Sequence, residues 1–392
     1  MVKVERISAD ILNQVPKDKQ VELKHFVGQY EVELTATGKQ CHFLQFLANS
    51  SEFAWRKIID PRTRLPLRDE RTLDERLETC MHLMSKLTAI GYMLHDYVDN
   101  STSKMVIGMD GKLSEVGESN GRSGKSLLGF FIGEIVPQVY IPAKAKDLTE
   151  DKFLFEGVTE KTKSVFLDDT RANIDLEFFY PQITGLFTVR PLGEKKYVLA
   201  KDRKPKIYGT TNHGVNDAGG SLRDRVFYLA FSDFYNENHK PINDFGVNFF
   251  SEWDNEQYNL AYNLAATCIQ LYLQYGLVKG PWRRIKLRNL RQEMGESFLD
   301  WADDFYSREL NIGSRLPKDE ISKDYLEKVP TGRKYYTAHS FKRKLKAYAD
   351  YREYKFNPKL YNDEGNPLKY DKEGKPIHDD KSGGIEYITI TN

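Results

Sequence analysis

The sequence has few cysteines and no long apolar run. Cys41, Cys80 and Cys268 are too widely spaced for a CxxC pair or a disulfide framework, so we expect small buried hydrophobes at these positions. No run of about 18 uncharged apolar residues occurs, and residues 1–10 lack the apolar core and cleavage site of a signal peptide. These absences predict a cytoplasmic protein with no membrane partner.

The chain also lacks an excess of either charge. Its formal net charge is +1, so overall electrostatics do not indicate a nucleic-acid partner, although basic residues are concentrated at 283–291 and 342–346. With 40% hydrophobic and 29% charged residues, the composition is that of a folded protein. At 392 residues we expect two or three units, or one large domain with appendages.

Apolar periodicity predicts an α/β fold. Three- and four-residue spacings at 44–59 and 76–98 predict amphipathic helices, so residues 1–100 are expected to be mainly helical. Short apolar runs then begin at Lys104, and residues 105–117 read as a hairpin with a turn at Asp110 and Gly111. A helix is expected at 126–136, and strands are expected at 164–169, 186–192, 196–200, 205–212 and 226–231.

The C-terminal part returns to helical periodicity. Helices are predicted at 255–277, 297–310 and 339–354, with a final strand at 384–390. Helices followed by a strand suggest a winged-helix-like unit. The predicted division is a helical N-terminal region (1–100), an α/β core (101–245), a helical segment (246–296) and a winged-helix-like domain (297–392).

A glycine-rich loop, GESNGRSGKS, occupies residues 117–126. In a P-loop of this kind backbone N–H groups surround the β-phosphate, the lysine reaches the β and γ oxygens, and the hydroxyl holds magnesium. Ser119 stands where the usual pattern has glycine, but the preceding strand and following helix favour phosphate binding over a plain turn. The predicted contacts are Gly117, Ser119, Asn120, Gly121, Arg122, Ser123, Gly124, Lys125, Ser126 and Leu127.

Two adjacent acids, Asp168 and Asp169, follow the apolar run Val165 to Leu167. One carboxylate would hold magnesium together with Ser126, and the other would orient and deprotonate the attacking water. A solvated strand end is the structural alternative. The separation from Lys125 suits one helix plus one strand and favours the catalytic interpretation, with ATP and Mg2+ as the expected cofactors.

Three polar residues further along could complete such a site. Asn212, at the end of a predicted strand, could lie between the acids and the γ-phosphate, although asparagine is also a common turn former. Arg223 and Arg225 precede the next strand. An arginine donated by a neighbouring subunit neutralises charge on the transferring phosphoryl group. We favour Arg225 over Arg223 for this role, and a surface Arg-Asp-Arg cluster is the alternative.

A basic segment lies between the acids and Asn212, with a predicted turn at Gly193. Such a hairpin could reach a central channel and grip successive phosphates of a strand. The alternative is a solvated edge hairpin protected by lysines. Its basic residues are Arg190, Lys195, Lys196, Lys201, Arg203 and Lys204, of which Lys195, Lys196, Lys201 and Arg203 are the predicted DNA contacts.

In order, GESNGRSGKS, FLDD, the basic hairpin, YGTTN and RDRVFYLAF resemble the motifs of superfamily 3 helicases, in particular the phage, plasmid and poxvirus primase-helicase branch. The resemblance implies an AAA+ ATPase that forms a hexameric ring, moves along single-stranded DNA in phage or mobile-element replication, and hydrolyses ATP between subunits. The N-terminal region would be an oligomerisation collar, in a bacterial or virus-infected cell. On matching positions it implies roles for Lys125, Ser126, Asp168, Asp169, Asn212, Arg225, Lys195 and Lys196.

Other functions share the same ATP site. A non-helicase ATPase that loads, remodels or packages nucleic acid would hydrolyse ATP without separating strands, and an assembly protein would use ATP only to fix a ring. No zinc-ligand cluster or catalytic carboxylate set precedes residue 104, so primase activity is expected to be absent, with a separate primase as a possible partner. The basic residues Lys342, Arg343, Lys344 and Lys346 could dock on duplex DNA or simply solvate a helix.

Overall fold

The computed structural model describes residues 1–8, 26–99, 101–111, 122–145, 148–171, 174–212, 224–281, 283–358, 381–382 and 385–391. These residues form two compact units, which divide between residues 285 and 286. Among the described helices, none combines the length and apolar character that a membrane crossing requires.

The described part of the N-terminal region combines a strand pair with two α-helices and short 3-10 segments. The prediction of mainly helix is wrong at its start, where β1 (Val2–Arg6) pairs antiparallel with β2 (Tyr30–Leu34). α1 (His42–Asn49) is shorter than the helix predicted for 44–59, because turns and a 3-10 segment follow it. α2 (Leu73–Leu94) confirms the second predicted helix and begins with a capping box formed by Thr72 and Glu75.

A five-stranded parallel sheet forms the centre of the first unit. Its strands are β3 (Met105–Asp110), β4 (Gln138–Pro142), β5 (Ser164–Thr170), β8 (Lys206–Thr211) and β9 (Val226–Phe231), in the order β4-β5-β8-β3-β9. The α/β prediction is confirmed at this level. β3, β8 and β9 are buried along their whole length, as strands covered on both faces are.

The predicted strands agree with the sheet, with two exceptions. β4 was not predicted, because its residues are only partly buried and lack a clear alternation. The hairpin predicted for 105–117 is wrong in its first arm, since β3 pairs in parallel with β8 on one side and β9 on the other. Both edges of β3 are therefore occupied, and the predicted second arm lies outside the described residues.

Helices cover the sheet and close the core. α3 (Lys125–Ile135) follows the glycine-rich segment 117–124 in sequence, as predicted, and Phe131 on it stacks on Phe43 of α1 with ring centroids 4.1 Å apart. α2 packs against α6 (Asn255–Tyr275). A Cβ on Gly91 would lie 2.0 Å from the Cys268 carbonyl oxygen, so glycine permits this close approach. α5 (Pro241–Phe245) lies between β9 and α6 in sequence.

Between β5 and β8 the chain forms α4 (Tyr180–Thr184) and the two-residue antiparallel strands β6 (Thr188–Val189) and β7 (Tyr197–Val198). The hairpin is shorter than its two predicted strands. Gly193 at its turn has φ of +76°, a conformation that glycine adopts without steric cost.

The second unit has its own hydrophobic core. α7 (Arg283–Met294) begins at the end of the first unit and continues into the second, whose other described helices are α8 (Glu296–Tyr306), α9 (Lys318–Lys328) and α10 (Ala338–Arg352). Its strands are β10 (Arg315–Pro317), β11 (Lys355–Phe356), β12 (Lys381–Ser382) and β13 (Ile385–Thr391), and the other three all pair antiparallel with β13. Helices α8 and α10 and strand β13 confirm the predicted elements, while the winged-helix assignment stays a prediction.

Candidate nucleotide-binding site

The candidate site lies where three neighbouring strands end. β8 runs between β3 and β5, and all three point the same way. Their carboxyl ends therefore bring together Asp110 of β3, Asp168 and Asp169 of β5, and Asn212 directly after β8. Ligands of open α/β sheets bind at this edge.

The loop before α3 is shaped by its glycine. Gly124 is the N-cap of α3 with φ of +87°, and a Cβ there would lie 2.6 Å from the Phe46 ring. Glycine is thus required both by conformation and by space. The 11-residue helix α3 begins at Lys125, so its N-terminal amides and dipole favour an anion at this point.

Of the other predicted phosphate contacts, some are described by the structure and some are not. Arg122 has φ of +77° and a loose exposed ion pair with Glu237 at 3.8 Å. The N–H of Leu127 donates to the Gly124 carbonyl at 3.0 Å, and its side chain packs against the core. Gly117, Ser119, Asn120 and Gly121, which were predicted as phosphate contacts, lie outside the described residues.

Lys125 is buried among polar groups, with 6% of its side chain exposed. Its Nζ donates to Asp110 Oδ1 at 2.5 Å and to Asn212 Oδ1 at 2.8 Å, and Ser123 Oγ lies 3.3 Å away. The Tyr208 hydroxyl donates to the Lys125 carbonyl at 2.9 Å. Burial raises the pKa of Tyr208 well above its usual value, so this hydroxyl remains protonated and anchors the start of α3 to β8.

Asp168 is oriented by three hydroxyl groups from three different elements. Ser126 Oγ donates to Asp168 Oδ1 at 2.6 Å, and Thr210 Oγ1 donates to the same oxygen at 2.7 Å. The Tyr140 hydroxyl approaches Oδ2 at 3.2 Å. Burial, followed by the nearby Asp168 charge, raises the pKa of Tyr140. The carboxylate is therefore held in one orientation beside the Ser126 hydroxyl.

Asp169 follows Asp168 at a break in the regular pairing of β5 with β8. Its φ is +57°, a left-handed conformation, and its N–H donates to Thr210 Oγ1 at 2.8 Å. Asn212 Nδ2 donates to Asp169 Oδ1 at 2.7 Å, while Lys144 Nζ lies 3.1 Å from Oδ2. Lys144 is 81% exposed and Asp169 39% exposed. The Asp169 side chain is thus more open to solvent than that of Lys125, and its contacts with Thr210, Asn212 and Lys144 hold it in this left-handed conformation.

The candidate arginine lies at the amino ends of the strands, opposite to the ends that carry the acids. Arg225 immediately precedes β9, whose first residue is level with the first residue of β3. A six-residue strand spans about 20 Å, which separates Arg225 from the acids of its own chain. Its guanidinium lies over the Tyr180 ring at 4.7 Å, and its Nε is 3.4 Å from Thr184 Oγ1. Arg223 lies outside the described residues.

The basic hairpin presents its predicted contacts to solvent. Lys195, Lys196, Lys201 and Arg203 are all exposed. Lys204 differs from them, because it is buried and donates to the carbonyls of Ile183 and Gly185 at 3.0 and 2.9 Å. It anchors the base of the hairpin. The hairpin precedes the amino end of β8, so it lies away from the edge that carries the acids.

Four residues in contact with the site were missed by sequence reasoning. Asp110 was interpreted as a turn residue, and nothing local marks Tyr140, Lys144 or Thr210. A polar residue at the end of a buried strand was the available signal for Asp110 and Thr210. Tyr140 and Lys144 required β4, a strand that was itself not predicted.

The donor set fits a triphosphate with Mg2+. Among the described residues no group of three or more His, Cys, Asp or Glu side chains is placed to hold a metal. One carboxylate and one hydroxyl, Asp168 and Ser126, instead share a hydrogen bond. Mg2+ commonly takes one or two protein oxygens and completes its shell with water and phosphate. The buried amine of Lys125 and the N-terminus of α3 suit the phosphates.

Comparison with known proteins finds similar chains among solved structures. No family model matches the chain, and no curated protein matches it. The apo structure of the NrS-1 C-terminal region is 11% identical, covers 91% of this chain and 76% of that chain, and has a TM-score of 0.39. The X-ray structure of JCV helicase is 11% identical, covers 95% of this chain and 84% of that chain, and has a TM-score of 0.25. JCV helicase bound to a thiazolopyridine-containing acetamide is 11% identical, covers 74% of this chain and 80% of that chain, and has a TM-score of 0.26. Because all three TM-scores are below 0.5, the site is interpreted from its own geometry.

Proposed function

We propose that this chain is the ATP-hydrolysing motor of a ring-shaped DNA helicase of the superfamily 3 type, active in phage or mobile-element replication. The observation that carries the proposal is the convergence of Lys125, Ser126, Asp168, Asp169 and Asn212 at one edge of a parallel sheet. These residues come from three separate segments of the sequence. A chance cluster of surface polar residues would not share hydrogen bonds with a buried lysine at a helix N-terminus.

Each residue has a role that its contacts allow. The Lys125 amine and the amides at the start of α3 would bind the phosphates. Asp168 and Ser126 would hold Mg2+, which supplies positive charge against the transferring phosphoryl group when bound. Asp169, whose side chain is 39% exposed, would accept a proton from the attacking water. Asn212 bonds both Lys125 and Asp169 and would couple phosphate contact to the position of the acid.

A neighbouring copy would complete the site with Arg225. The arginine lies at the amino end of β9, opposite to the edge of its own acids, and this placement favours donation to another subunit. Stacking on Tyr180 holds the guanidinium at that edge. The proposal therefore includes an oligomer, a hexamer by the resemblance, in which the N-terminal region acts as a collar.

The proposed DNA contacts are the exposed lysine and arginine side chains of the hairpin segment. Lys195 and Lys196 follow its turn, and Lys201 and Arg203 follow its second strand. Cations of this kind would contact phosphates without reading sequence. Substituting them should weaken single-strand affinity and reduce its salt dependence, while nucleotide binding by the Lys125 site remains.

A mixing experiment tests the shared site. Lys125→Ala should abolish ATP turnover, and Arg225→Ala should do the same because its neighbours lose the donated cation. When the two variants are mixed, some interfaces combine an intact Lys125 with an intact Arg225, so part of the turnover should return. No recovery at any mixing ratio would contradict a site shared between copies.

Strand separation distinguishes the helicase from its alternative. The wild-type chain should unwind a forked duplex in the presence of ATP, and Lys125→Ala should not. DNA-stimulated hydrolysis without unwinding would favour an ATPase that loads, remodels or packages nucleic acid. Full unwinding by Lys125→Ala would overturn the motor proposal altogether.

A further inference from the structure

Lys125 is paired with a buried acid, Asp110, to which the proposed function gives no role. Lys125 Nζ lies 2.5 Å from Asp110 Oδ1, and the two side chains are 6% and 2% exposed. Ser123 Oγ donates to the same oxygen of Asp110 at 2.5 Å. Two polar side chains of the loop therefore turn inward to the end of β3 and not outward to solvent.

The Lys125 amine can donate only a limited number of hydrogen bonds. A lysine amine carries three N–H donors. Asp110 Oδ1, Asn212 Oδ1 and Ser123 Oγ all lie within 3.3 Å of it. A phosphate oxygen can therefore accept from Lys125 only if one of these acceptors gives way or shares its donor. Asp110 matters most among them, because it alone carries a negative charge.

We propose that Asp110 competes with the triphosphate for Lys125 and thereby limits how tightly the site holds nucleotide. This inference rests on the proposed function. A phosphate-binding lysine usually attracts its ligand as a net positive charge, whereas Lys125 and Asp110 together are neutral. The incoming triphosphate must separate the pair next to a carboxylate that repels it. Asp110 is thus a residue that sets affinity, and it favours release of the bound polyphosphate.

Inorganic tripolyphosphate is the probe, because it isolates the phosphate contacts from base and sugar. Asp110→Asn keeps the size of the side chain and an oxygen acceptor for Lys125 while removing the charge. Calorimetric titration of the full chain should give an affinity about tenfold or more above wild type, since a unit of like charge is removed from a buried site. Affinity equal to or weaker than wild type would overturn the inference.

Glu386→Gln is the matched control. Glu386 pairs with Lys318, and the two side chains are 15% and 11% exposed; it also pairs with Lys342 at 2.8 Å, so the substitution likewise neutralises a largely buried acid that is paired with lysine. It lies in the second unit. Its effect on stability should resemble that of Asp110→Asn, but its affinity for tripolyphosphate should equal that of wild type. A gain of affinity in both variants would indicate a non-specific charge effect and would refute the proposal that Asp110 competes with the triphosphate for Lys125.

Wild-type crystals provide a measurement that does not depend on the variant folding. When they are soaked in tripolyphosphate, the distance from Lys125 Nζ to the Asp110 carboxylate should lengthen beyond hydrogen-bond range. A contact that stays at its original length with phosphate bound would refute the competition. Wild-type protein that binds neither tripolyphosphate nor ATP would instead refute the proposed function, so the two failures are distinguishable.

Discussion

Asn212 Nδ2 donates to Asp169 Oδ1 across 2.7 Å, which joins the ends of β8 and β5. The other end of the same amide accepts from Lys125 at 2.8 Å. One side chain therefore touches both the cation that would meet the phosphates and the acid that would activate water. This arrangement depends on β8 lying between β3 and β5.

Asn212→Ala should lower ATP turnover about 10²-fold, because Asp169 loses a donor that orients it. The affinity for ATP should change much less, since Lys125 keeps its other contacts. Asn212→Asp should be no better, because it retains an acceptor for Lys125 but places a carboxylate against Asp169. Steady-state kinetics would separate kcat from KM. Asn236→Ala removes another amide, which donates to the Asp233 carbonyl, and should have wild-type kinetics.

Thr210→Val should raise the Mg2+ concentration needed for half-maximal hydrolysis by about 10- to 100-fold. The substitution preserves shape but removes the hydroxyl that donates to Asp168 at 2.7 Å. The same hydroxyl accepts from the Asp169 N–H, so both acids lose a partner.

Thr211→Val is the control for this experiment. Its hydroxyl is also buried, but its side chain points to the other face of β8 and bonds the Thr170 carbonyl at 3.3 Å. The Mg2+ requirement of this control should not change. An equal shift in both variants would mean that general weakening of β8, and not the orientation of Asp168, causes the effect.

Gly124→Ala should destabilise the first unit and abolish nucleotide binding. Two costs add there, the positive φ and a Cβ 2.6 Å from the Phe46 ring. Gly246→Ala separates them, because Gly246 has φ of +70° with nothing within 4 Å of its added Cβ. The control should lose about 1 kcal/mol, whereas Gly124→Ala should lose several. Equal losses in urea unfolding would exclude the clash with Phe46.

The stability of the fold should depend on Lys206 and pH. Lys206 is buried at the start of β8, donates to the Tyr92 carbonyl at 2.5 Å, and burial lowers its pKa to about 7. Between this pKa and its ordinary value, the unfolded chain binds a proton that the folded chain does not. Stability contributed by this group therefore rises with pH above about 7, by up to ~1.4 kcal/mol per pH unit.

Lys206→Met removes that dependence. The free energy of unfolding of wild type relative to this variant should increase from pH 7 to pH 9, as measured in urea. The exposed Lys161→Met is a control for loss of a lysine and should follow wild type at every pH. Parallel curves for wild type and Lys206→Met would show that the amine has no part in the pH dependence.

Sequence reasoning predicted the elements that contain a clear apolar run or a helical period. β9 is apolar throughout, β5 and β8 contain short apolar runs at 165–167 and 207–208, and α2, α3 and α6 have helical periodicity. β1 and β2 were missed although Val2, Val4 and Val32 alternate with charged residues, because their pairing joins segments far apart in the chain. The direction in which β3 pairs is likewise set by distant strands.

The candidate site was predictable as far as it is built from motifs. Lys125, Ser126, Asp168, Asp169 and Asn212 were named from strand ends and a glycine-rich loop, and their contacts are consistent with the roles proposed for them. The contacts that orient them were not predictable. Thr210 acts only because β8 lies beside β5, and a local pattern contains no information on which strands become neighbours.

The opposite placement of Arg225 and the acids on one parallel sheet has a consequence for dilute protein. A lone copy would retain every group needed to hold its triphosphate, yet would lack the external guanidinium. Occupancy would then be independent of how many copies are present, while the rate per copy would climb as copies associate. Dilution would therefore lower the hydrolysis rate per copy without lowering the affinity for nucleotide.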